Sequence, residues 1–115
     1  MPENASQKRK SYYRIGFDCG VAGESFNNDD GTSRQLLLSR VEPGMPVDLI
    51  KEPENPRDPE AIKVVVRGIG QVGYLKSWFA ERVHEHESFG GRIQAKVAEV
   101  SGGTKRKPIY GITLA

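Results

Sequence analysis

The side chains with the most to offer chemically lie together in residues 51–66, KEPENPRDPEAIKVVV. Asn55, Arg57 and Asp58 place an amide, a guanidinium and a carboxylate within four positions. The amide donates and accepts hydrogen bonds, the guanidinium only donates, and the ionised carboxylate only accepts. Pro53, Pro56 and Pro59 each fix their own φ near about −65° and push Glu52, Asn55 and Asp58 toward extended geometry. A flexible loop would not need this stiffening. The chemistry expected is binding by polar groups held in fixed positions.

Covalent and metal chemistry find weaker footing. His84-Glu85-His86 holds two imidazoles, but a two-residue step on a helix turns them about 200° apart. The i, i+4 spacing of a zinc helix is missing, so they read as solvated helix polar residues. Gly68-x-Gly70 reads as a hairpin, since no helix opens after it to cradle a phosphate. Cys19 alternates with apolar residues and reads as a buried structural thiol. No nucleophile is assembled with a base, so a non-enzymatic protein without catalytic residues, metal or cofactor is expected.

The elements that must position these residues follow from pattern. Asp58-Pro59 reads as an N-cap followed by a first-position proline, opening one helical turn through Glu60 and Ala61. Residues 62–66, IKVVV, then read as a buried strand. Upstream, Ile15, Phe17, Cys19 and Val21 alternate as a half-buried strand, and NNDDGTS at 27–33 is a turn by composition. Leu36 to Leu38 with Val41 read as a second strand, and Val47, Leu49 and Ile50 as a third. Downstream, Gly68 and Gly70 turn into a strand ending at Tyr74. Leu75, Phe79 and Val83 then mark one face of a helix with Ser77 as its N-cap and Trp78 beside the face. Strands over 93–100 and 109–114 close the chain. About six strands, one helix and one helical turn favour a mainly β fold, a small OB-like, partly open barrel.

Composition narrows the class. At 115 residues the chain suits one domain, expected over 14–115 behind a disordered basic tail at 1–13. One cysteine excludes an intrachain disulfide framework and fits a reducing compartment. No apolar run approaches the roughly 20 residues of a membrane span, and no signal-peptide core opens the chain. The net charge of +2 is uneven, with Lys8, Arg9, Lys10 and Arg14 near the start and Lys105, Arg106 and Lys107 near the end. Such clusters are compatible with nucleic acid, and equally with a solvated surface.

The segment EPENPRDPEAIKVVVRGIGQVGYL resembles the HIRAN domain, whose core runs roughly E-P-x-N-P-x-D-x-x-A-I-x-V, a hairpin, then Q-(I/V)-G-Y-L. VAGESF with the following Gly31-Thr32-Ser33-Arg34 looks like that family's first-strand region, and the likeness spans about 17–114. It implies an OB-like β-barrel that captures the 3′-hydroxyl end of single-stranded DNA. In well-studied members the domain is attached to a fork-remodelling ATPase, so a helicase or nuclease partner is a further expectation. A monomer without membrane contact is expected, cytoplasmic and nucleoid-associated in a prokaryote or nuclear in a eukaryote.

The resemblance also implies residue roles. Asp58 matches the aspartate that accepts from the terminal 3′-hydroxyl, a charge-assisted bond worth about 1.5–3 kcal/mol. It would reject a 3′-phosphate, since two anions ~4 Å apart repel by roughly 4 kcal/mol at an effective dielectric near 20. Capping the next turn is the alternative role, and both can hold. Asn55 is a candidate for a base edge or phosphate, against a turn residue satisfying its own backbone. Tyr74 stands where the family places a ring beside the DNA end, against an ordinary half-buried strand tyrosine. Phe26 matches an aromatic position but is read as core ahead of site. Lys76 and Lys51 are candidate phosphate contacts, with solvated lysines as the simpler reading. Arg57 replaces an aromatic, where it can stack on a base or pair with phosphate. Glu24 and Ser25 replace polar or cationic residues, and Glu24 and Glu54 oppose DNA unless both point away. The competing class is a protein-interaction or targeting module that keeps the barrel without binding DNA.

Overall fold

The computed structural model describes residues 19–88, 90 and 93–115. The expected basic tail and the start of the strand read from Ile15 lie outside them, as does the side chain of Cys19. In chain order the elements are β1 (Cys19–Ala22), α1 (Arg34–Leu38), β2 (Pro46–Lys51), β3 (Ile62–Val66), β4 (Gly70–Leu75), α2 (Ser77–Ser88), β5 (Ala95–Ser101) and β6 (Gly111–Leu114). The strands pair antiparallel and close in the order β1-β4-β3-β2-β5-β6. The small mainly β barrel expected from the sequence is present, with its ring closed.

The wall is strongest where sequence neighbours pair. β2 and β3 run in unbroken register from Val47 opposite Val66 to Lys51 opposite Ile62. Along β3, Ile62, Val64 and Val66 are fully buried while Lys63 and Val65 are half-buried, the period of two that a strand imposes. They meet Leu38, Val72, Val83, Val97 and Leu114 in one core. Burying each such side chain contributes about 1.5–3 kcal/mol.

Closure rests on short seams. β1 gives Cys19 and Gly20 to β6, then Val21 and Ala22 to β4. A Cβ at Gly73 of β4 would stand 2.7 Å from the Ala22 carbonyl oxygen and 2.8 Å from Val21. Gly73 is therefore what lets β1 lie down on β4. Register shifts at Val64/Val65 and Val97/Glu99 supply the irregularity that bends strands around a small barrel.

One expected element is of the other type. Residues 36–38 form no strand; Arg34–Leu38 is a helix. A strand would put Leu36 and Leu38 on one face. Instead Leu37 and Leu38 are buried together with Arg34, the i, i+3, i+4 face of a helix, and Leu36 is 55% exposed. Ser33 caps it, its Oγ accepting the Leu36 N–H at 3.1 Å. Leucine is unbranched at Cβ and favours helix, so the apolar run alone misled. Five residues are too few to be stable alone, so the buried pair holds the turn in place.

The other helix falls where expected, with Phe79, Ala80 and Val83 buried. Leu75, the first residue of the expected face, ends β4 instead. Ser77 is the first helical residue, and the Lys76 carbonyl already accepts from Phe79 and Ala80. No helix among the described residues is long and apolar enough to cross a membrane.

Candidate nucleic-acid interface

The proline-braced stretch folds into two consecutive turns. The first is closed by the Asn55 N–H on the Glu52 carbonyl at 3.0 Å, the second by the Ala61 N–H on the Asp58 carbonyl at 3.0 Å. Asn55 locks them together: its Oδ1 accepts from the Arg57 and Asp58 amides at 2.8 and 3.0 Å, and its Nδ2 donates to Glu52 Oε1 at 3.0 Å. Most of its amide is engaged inside the turn. Asp58 Oδ1 accepts the Glu60 N–H at 2.9 Å, so the carboxylate does cap the single turn. His84 of α2 docks on the same turn, with Nε2 2.9 Å from the Glu60 carbonyl oxygen and 3.3 Å from its carboxylate. One of the two histidines expected to be solvated thus braces the corner. Among the described residues, no group of three or more His, Cys, Asp or Glu could hold a metal ion.

Glu52 is the hub the sequence did not single out. Its Oε1 accepts from Asn55 and from the Tyr74 hydroxyl at 2.8 Å, and its Oε2 lies 3.6 Å from Lys63 Nζ. Burial alone would raise the carboxyl pKa, but these donors and the lysine outweigh it and hold the group below the usual 4.5. Burial and the bond to Glu52 together push the Tyr74 phenol up from 10.0, so it remains a donor at neutral pH. No local signal marks this pairing, because Tyr74 arrives from β4 across the cleft.

Arg34 was missed for a related reason. It lies on the buried face of α1 at 6% exposure. Its Nε donates to Asn28 Oδ1 and one terminal nitrogen to the Gly23 carbonyl, both at 2.7 Å, and the guanidinium stands 5.4 Å from the Tyr74 ring centre. Reading 34–38 as a helix would have revealed it, since an arginine then occupies the apolar face with Leu37 and Leu38.

These groups line an open cleft of about 1100 Å³ between the end of β1, the double turn and the β4–α2 junction. Asp58, Asn55, Arg57, Tyr74, Phe26 and Lys76 all line it. Phe26 is no core residue: it is 68% exposed, because the Phe26 N–H closes a turn onto the Gly23 carbonyl and holds the ring outside the barrel. Lys76 lays its stem along the backbone of Gly20, where a Cβ would meet its Cδ and Cε at 2.8 Å. Ser25 is exposed but does not line the cleft, and Lys51 turns away to pair with Glu87 at 2.6 Å. Glu24 points inward, its Oε2 accepting the Ile112 N–H at 2.9 Å. Burial raises its pKa above 4.5, against the pull of that N–H and of Lys76 and Lys107. Glu54, by contrast, lines the cleft with Asp29, so the mouth is acidic and the cations Arg34, Arg57 and Lys76 are distributed around it.

The comparisons with known proteins agree with this architecture. The crystal structure of a protein from Lactobacillus plantarum superposes with a TM-score of 0.63 at 23% identity, covering 84% of this chain and 87% of that one. The crystal structure of the HIRAN domain of human HLTF superposes at 0.56 and 22% identity, covering 85% of this chain and 73% of that one. Identities this low carry the fold alone. No curated protein matches the chain by sequence. The family profile described as HIRAN domain matches residues 22–102, from the end of β1 to just past β5 and across every turn that builds the cleft. The chain belongs to the HIRAN domain family.

Proposed function

We propose that this chain is a DNA-binding module that seats the 3′-hydroxyl end of single-stranded DNA in the cleft beside the double turn. The observation that carries the reading is the state of Asp58. One carboxylate oxygen caps the turn, the residue lines the cleft, and Oδ2 makes no hydrogen bond among the described residues. An acceptor held rigidly at a cleft wall suits a hydroxyl donor, and the acids around it repel a terminal phosphate.

Neighbouring groups take complementary parts. The exposed Phe26 ring offers a stacking face, and stacking contributes ~1–3 kcal/mol per base. Lys76 and Arg57 offer donors to phosphates, while Asn55 and Glu52 hold the turn and the Tyr74 ring rather than contact DNA. With two phosphates engaged, binding should follow salt with a log–log slope of about −1.4.

Fluorescence anisotropy with matched oligonucleotides ending in 3′-hydroxyl or 3′-phosphate tests the reading. Tighter binding of the hydroxyl end by tenfold or more, about 1.4 kcal/mol, is expected. Equal affinities would remove end recognition. Affinities weaker than about a millimolar for every DNA at low salt, less than roughly 4 kcal/mol of binding, would favour a protein-interaction module instead.

A further inference from the structure

We propose that Arg34 is the phosphate seat of this cleft, its guanidinium receiving a non-bridging oxygen of the phosphodiester next to the terminal nucleoside. The inference deepens the end-binding reading above and rests on it for the identity of the ligand.

Charged side chains are rarely fully buried without an opposite charge. Arg34 is 6% exposed, yet among the described residues no carboxylate pairs with it. Its hydrogen bonds go to neutral acceptors, Asn28 Oδ1 and the Gly23 carbonyl. They fix the orientation of the fork, and the Tyr74 ring 5.4 Å away attracts the cation without supplying a counter-charge. A purely structural position could be filled by an apolar side chain at lower cost.

The surroundings preserve both the charge and its access. Asn28 is itself anchored, its Nδ2 donating to the Gln71 carbonyl at 3.0 Å, so it cannot easily swing aside. Gly23 adopts φ +76°, and a Cβ there would stand 3.0 Å from Arg34. With glycine at 23, no side chain roofs the guanidinium at this point, and Arg34 lines the cleft directly. A guanidinium has five N–H donors, and the two bonds above leave the others for an oxyanion. Its planar fork matches phosphate in a way that a lysine ammonium does not.

The test pairs a chemical change in the ligand with one in the protein. Replacing the last internucleotide phosphate by a neutral methylphosphonate should weaken wild-type binding by about tenfold. Arg34→Gln should bind the natural oligonucleotide about tenfold more weakly and lose nothing further on the methylphosphonate. It should keep the wild-type preference for a 3′-hydroxyl over a 3′-phosphate. A wild type indifferent to the methylphosphonate overturns the proposal, as does an Arg34→Gln protein that retains the full loss. If Arg34→Gln does not fold, Arg34→Lys keeps the charge without the fork and should show a reduced methylphosphonate loss.

A second arm separates the source of the oxyanion. Inorganic phosphate at millimolar concentration should shift the Arg34 Nε–H resonance of the wild type, and no shift counts against the seat. If DNA ends prove not to be preferred while phosphate still shifts Arg34, the seat stands and the end-binding reading falls.

Discussion

Tyr74 and Glu52, 22 residues apart in sequence, meet through a 2.8 Å hydrogen bond from phenol to carboxylate across the cleft. The bond joins β4 to the proline-braced double turn, so the ring and the Asp58 corner are positioned by one acid. Glu52 ionises more readily in the folded chain than unfolded, because Asn55, Tyr74 and Lys63 outweigh its burial. Its contribution to stability is therefore present above pH 4.5 and lost as pH falls through the lower folded value. Glu52→Gln should lose stability at pH 7 and show a shallower acid limb in urea titrations run from pH 7 to 3. A Tyr74 phenol pKa that moves down in the variant, read by NMR, would confirm the link.

Glu24 should behave with the opposite sign. Burial raises its folded pKa above 4.5 despite the Ile112 N–H, so stability falls as pH rises through that higher value. Glu24→Gln keeps an acceptor for Ile112 and removes the buried charge. Its melting temperature should exceed that of wild type at pH 7, with the difference vanishing near pH 4. A variant less stable at pH 7 would show that the charge itself holds β6.

Phe26 separates binding from stability. With 68% of its surface exposed, Phe26→Ala should change unfolding free energy by no more than about 0.5 kcal/mol. Single-stranded DNA affinity should fall by about 1–3 kcal/mol, the worth of one base stack. Unchanged affinity would remove the ring from the interface.

Leu36 and Leu38 distinguish helix from strand in α1. Leu38 is fully buried and Leu36 is 55% exposed, although a strand would place both on one face. Leu38→Ala should cost about 2–5 kcal/mol in chemical denaturation, and Leu36→Ala less than about 0.5. Similar losses at the two positions would contradict the helix.

Gly73 tests the closure of the barrel. A Cβ there meets backbone, 2.7 Å from the Ala22 carbonyl oxygen, whereas one at Gly20 meets the flexible end of Lys76. Gly73→Ala should destabilise by about 1–3 kcal/mol or prevent folding, while Gly20→Ala should leave stability nearly unchanged. Amide exchange at Val21 and Ala22 should rise in the first variant and not in the second.

Sequence alone determined the barrel and the rigid corner, because both are written locally. The apolar β-branched run at residues 62–66 reads as a buried strand, and three prolines in seven positions leave the backbone of 53–59 little choice, so Asp58 was legible as a cap and a fixed acceptor. The closed ring, the Glu52–Tyr74 bond, the inward turn of Glu24 and the outward turn of Phe26 were decided only by tertiary structure. Each depends on a partner many residues away or on which side of a turn a chain emerges, and neither leaves a mark in local spacing. Arg34 lies between the two cases. Its burial follows from the helical period of Leu37 and Leu38, but that period is too short to be heard over a leucine run that also fits a strand.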